Sequence, residues 1–163
     1  MWARIATHLG TAQVSRVVYG AIIGMALIVV LQSHPPTAAV VVATLMATAL
    51  AVALAELYSE VIGHQARTRS RVPRHHVRHL AGEVAAVAFG IAFPSVFFVM
   101  AVAGLIELET AFRAAKWSGV GLIGFYGFCA ARLAGERVGA ALWQAVAVAA
   151  VGALLIAFKA VVH

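Results

Sequence analysis

Glu56, Ser59 and Glu60 are the residues whose types and spacing can do chemistry within an apolar run. Two carboxylates four residues apart stack on one face of a helix, and the Ser59 hydroxyl falls within a turn of Glu56. An all-oxygen donor set suits a hard cation such as Mg, Ca, Mn or ferrous iron. The same pair can also relay a proton. Ionisable groups inside a span are costly and mark pathways, which singles out Glu56. The plainer alternative neutralises Glu56 with a nearby arginine and leaves Glu60 at headgroup level. Both readings stay open on the residues alone.

A second group follows directly. The segment 64–80 reads as a basic loop carrying Arg67, Arg69, Arg71, Arg74 and Arg78, with His75, His76 and His79 among them. Juxtamembrane clusters of this size read as contacts to anionic lipid, and an acidic partner would be drawn by the same charge. The three histidines have helical spacings that allow a weak metal site. Five arginines would repel a divalent ion there, and Pro73 interrupts a helix before the cluster. Nucleic acid is not expected, because one loop held against a membrane is too small a basic surface. With no aspartate and a lone Cys129, neither a Ser/His/Asp triad nor an internal disulfide is possible. No nucleotide loop is present, so no enzyme activity and no resident cofactor are expected.

The elements that must carry these residues are transmembrane helices. The chain has 163 residues, 63% of them hydrophobic and 11% charged, with mean hydropathy +0.96. A soluble domain carries about 25% charged residues, so this chain cannot cover a water-exposed globule. Apolar runs predict an all-α integral membrane protein with five transmembrane helices, at about 16–32, 38–63, 81–106, 117–132 and 138–162. Arg4, Arg16, the five loop arginines, Arg132 and Arg137 fall on one side, against Arg113, Lys116 and Lys159 on the other. The positive-inside rule then places the N-terminus in the cytoplasm and the C-terminus outside, in a bacterial-type inner or plasma membrane. A competing account makes Val17–Leu31 the core of a signal peptide with a weak cleavage site at Thr37-Ala38-Ala39. Trp2, Ile5 and Leu9 share one helical face and suit a short interfacial helix. Pro94 predicts a kink in the third span, and Gly20-xxx-Gly24 a close-packing face in the first.

The order of these signals resembles the vacuolar iron transporter family. The residues that carry the likeness are Tyr19-Gly20-Ala21-Ile22-Ile23-Gly24, Ala55-Glu56-Leu57-Tyr58-Ser59, the Gly90-xxx-Pro94 step and the glycine-rich stretch Gly121–Gly135, continuing to Lys159. The resemblance implies a five-span fold and passage of ferrous iron or manganese as cargo, with Glu56 as ligand and Ser59 beside it. Ile22-Ile23 stands where the family has Asn-Asp, and a basic segment stands where it has a glutamate-rich insertion. One carboxylate per chain is a thin donor set for a divalent ion, so metal passage would require a homodimer bringing two copies of Glu56 together. The alternative is a non-transporting scaffold or accessory subunit that binds anionic lipid or an acidic partner.

Overall fold

The computed structural model describes residues 11–69 and 73–162. Among these residues six helices follow in order: α1 (Thr11–Leu31), α2 (Ala38–Thr68), α3 (Arg74–Ala92), α4 (Ser95–Val102), α5 (Leu108–Leu133) and α6 (Val138–Val162). No strand occurs among the described residues. The expected interfacial helix of Trp2, Ile5 and Leu9 lies outside them.

Apolar length accounts for most of this arrangement. Gln13–Leu31 and Ala38–Thr68 are each long and apolar enough to cross a membrane, and Leu80–Ala92 with Ser95–Val102 makes a third candidate, bent by 48°. The bend sits at Pro94, as its missing N–H requires: the Gly90 carbonyl loses its helical donor. The third span read as 81–106 is therefore two helices, and it ends at Val102. There Gly104 takes φ 72° and the Leu105 N–H returns to the Met100 carbonyl at 3.0 Å. Gly135, at φ 85°, ends α5 in the same manner, with Glu136 N–H on the Ala131 carbonyl. Both are left-handed helix stops that favour glycine.

α1 is the central helix, packed on α3 and α5; α2 flanks α3 and α4, and α6 flanks α5. The α1–α3 crossing is backbone against backbone. A Cβ on Gly90 would be driven into the Val17 carbonyl and to within 2.6 Å of the Ala21 nitrogen. One on Gly20 would strike the Val87 carbonyl. Gly24 lies against the Ile91 and Gly90 carbonyls, where a Cβ would sit 3.0 and 3.4 Å away. Only Cα hydrogens therefore face the carbonyls beside the kink, an arrangement open to weak Cα–H···O contacts. The close face expected from Gly20-xxx-Gly24 is present, and its partner is α3.

Around this crossing the side chains form three apolar clusters. Ile28, Val41, Leu45, Phe98, Ala111, Phe112 and Ala115 join α1, α2, α4 and α5 near the 33–37 turn. Within this cluster the Phe98 and Phe112 rings meet edge to face at 4.9 Å. Met25 packs with Ala21 and Ile123, and Val87 and Ile91 pack with Ala49.

The segment read as a basic loop is largely helical. α2 continues to Thr68, and α3 begins at Arg74 behind Pro73, leaving only 69–73 between them. Polarity had indicated a loop there. Gln65, Ala66 and Arg67 are nonetheless good helix formers, and outside lipid a polar helix has no need of an apolar face. Arg69 ends α2 in the left-handed region at φ 51°, its N–H on the Gln65 carbonyl. α5 likewise starts nine residues before the span expected at Trp117. Its charged first turns are held by a Glu109–Arg113 pair at 3.0 Å, with the acid nearer the helix N-terminus, the favourable order.

Candidate functional site

Counting along the helices brings three charges to one level. At about 1.5 Å per residue, Arg16 lies about 22 Å below Leu31, and Glu56 about 27 Å below Ala38. Glu83 lies about 28 Å below Val102, ignoring the bend at Pro94. The side chains meet at that level. The Arg16 Nη1–H donates to Glu56 Oε2 at 2.7 Å, and Nη2–H reaches Glu83 Oε2 at 3.4 Å. All three are partly buried, with side-chain exposures of 31%, 25% and 17% for Arg16, Glu56 and Glu83. One guanidinium thus ties α1 to both α2 and α3.

The pair expected to act together is divided between two arginines. Glu60, one turn beyond Glu56, takes the Arg67 guanidinium of its own helix at 3.5 Å, and both of those groups are exposed. Ser59 is exposed and takes no part in the cluster. Among the described residues no group of three His, Cys, Asp or Glu side chains could hold a metal ion. Arg67 and Arg69 are exposed at the end of α2. The backbones of Arg74, His75, His76, Arg78 and His79 lie on α3, while their side chains, and all of Arg71, fall outside the described residues.

The sequence points to an arginine beside Glu56 without saying which, counts Arg16 only among the charges on one side of the membrane, and gives Glu83 no role. The available signal was the equal depth of Arg16, Glu56 and Glu83 below their span ends. Elsewhere the exposed face of α2 carries no unsatisfied hydroxyl at Thr44, whose Oγ1–H donates to its own Val40 carbonyl at 2.7 Å.

This ion bridge decides what the carboxylates can do. A cation approaching within about 4 Å of the guanidinium meets about 4 kcal/mol of repulsion per unit charge at an effective dielectric of about 20. Glu56 is engaged in an ion pair. No family model, curated protein or solved structure matches this chain. The likeness to vacuolar iron transporters accordingly rests on its short motifs alone.

Proposed function

We propose that this chain is a five-span membrane protein of a bacterial-type inner or plasma membrane, N-terminus cytoplasmic and C-terminus outside. It works as a non-transporting accessory or scaffold subunit, offering its basic cytoplasmic end to an anionic partner. The observation that carries this reading is the Arg16 guanidinium on Glu56, which turns the candidate ion ligand into a structural tie. The distribution of charge supports the orientation. Arg16, Arg67, Arg69, Arg132 and Arg137 gather at the end away from the 33–37 turn, while Arg113 and Lys116 lie toward the turn end.

Metal passage on a vacuolar-iron-transporter-like fold makes the opposite prediction for one substitution. Glu56→Gln keeps the shape of the side chain and removes its charge. In proteoliposomes loaded with a metal-sensitive dye, ferrous iron or manganese entry is expected to be the same for Glu56→Gln, wild type and protein-free vesicles. Wild-type flux that Glu56→Gln abolishes would overturn the accessory reading and restore Glu56 as a ligand.

A further inference from the structure

We infer that a second copy of this chain docks on one exposed flank of α6, where the two Gln144 amides pair across a two-fold axis normal to the membrane. The inference rests on the reading above that α6 is a membrane span.

α6 is covered along one side only. Ala145, Val148 and Ala149 lie against Gly124 and Gly127 of α5, and Gly152 lies against Met25 and Ile123. Away from that seam Leu142, Trp143, Val146 and Leu154 are exposed, as suits a surface in contact with lipid. One side chain does not suit it. Gln144 is exposed among them, and its amide has no hydrogen-bond partner among the described residues. It lies about 9 Å along the axis beyond Val138 and about 15 Å short of Leu154, both of them exposed and apolar. An amide at that position loses the hydrogen bonds it would make in water. Thr44, on the outer face of α2, avoids this by bonding to its own helix.

The chemistry of the amide selects the occupant. An acyl chain offers it nothing, and another protein's helix would have to bring a polar group to the same depth. A second copy brings one by symmetry. The amide holds an acceptor and two N–H donors, so each Gln144 can donate to its counterpart and accept from it. Ala140 and Ala147, one turn before and after Gln144 on the same flank, are both exposed and small enough for two helices to approach. At the mouth of the helix the Glu136 carboxylate and the Arg137 guanidinium are exposed, and neither has a partner among the described residues. Arg137 lies two turns before Gln144, so pairing gathers two guanidiniums and two carboxylates, each Arg137 beside the other copy's Glu136. Glu56 stands on α2, across α1 and α3 from this flank, so its two copies stay apart. This dimer is therefore not the one that metal passage would require.

The test uses the whole protein in liposomes, in a Cys129→Ser background. Oxidation should link Ala147→Cys into a dimer and leave Leu142→Cys, turned away from that flank, as monomer. Energy transfer between copies labelled at Thr68→Cys, followed on dilution with lipid, reads the affinity. Gln144→Leu should weaken it about tenfold, and Gln144→Asn should keep most of it. Thermal unfolding of Gln144→Leu should match the parent, since no bond within the protomer is lost. Three results would overturn the inference: no transfer at any dilution, affinity unchanged in Gln144→Leu, or equal cross-linking at both cysteines. The first would leave the amide to a different membrane protein. Depth is read separately, by quenching of a fluorophore at Ala150→Cys with lipids brominated on their acyl chains. No quenching would overturn α6 as a span and the dimer with it, whereas quenching without transfer would overturn the dimer alone.

Discussion

Gly90→Ala is expected to leave little folded protein, although it adds a single methyl group. That methyl has no place to go. It would overlap the Val17 carbonyl and approach the Ala21 nitrogen within 2.6 Å, and both obstacles are backbone atoms of the central helix. A flexible side chain could turn aside, but a helix backbone moves only as a unit. Separating α1 from α3 would also pull Ile23 away from the cluster of Ala49, Val87 and Ile91. Overpacking in a close-packed interior costs about 1–3 kcal/mol where side chains can yield, so this site belongs at or beyond the upper end. The control is Gly121→Ala on α5, where an added Cβ meets nothing within 4 Å. There alanine should be neutral or stabilise by up to about 1 kcal/mol, through its higher helix propensity. Thermal unfolding in detergent, followed by size-exclusion recovery, separates the two. Equal recovery of both variants would mean that the α1–α3 crossing is not the contact described.

The same crossing shows how far the sequence could be read. Gly20-xxx-Gly24 announced a close face because small residues one turn apart always make a groove. The identity of the opposing helix was not legible, since Gly90 is a single glycine whose meaning depends on lying across from that groove. Pro94 gave its kink directly, because the lost N–H is a local fact. Helix ends were not all legible: the third span was read through Gly104 to 106, although that glycine takes the left-handed turn that stops the helix. Others were missed where polarity stood in for conformation, as in 64–80 and the first turns of α5. Arginine and glutamate read as membrane-surface residues form helices well once they leave lipid. The charged cluster was legible in part. The alternative that neutralises Glu56 with an arginine is the arrangement present, but which arginine it is depends on the neighbouring helix, and Glu83 gave no sign of joining it.

Arg16→Ala tests that cluster, and it should be more harmful than loss of either glutamate. Removing Glu56 leaves Arg16 with Glu83, and removing Glu83 leaves it with Glu56. Removing Arg16 takes the guanidinium from both carboxylates and leaves them near the boundary of a low-dielectric medium. Breaking a buried pair from one side costs about 3–5 kcal/mol, whereas an exposed pair is worth about 0–1 kcal/mol. With exposures between 17% and 31%, the cost should fall between those limits, at about 2 kcal/mol. Arg16→Lys should recover only part of it, because one ammonium cannot present two parallel forks toward α2 and α3. Adding Glu56→Gln to Arg16→Ala should then restore stability relative to Arg16→Ala alone, since it removes one stranded charge. That sign distinguishes an electrostatic tie from packing by the arginine stem. If the double variant is as unstable as the sum of the singles, Arg16 holds the helices by its methylenes and the ion bridge is incidental. The restored sign would place the cost of Arg16→Ala in the charge it leaves behind, and so make Glu56 a member of the scaffold.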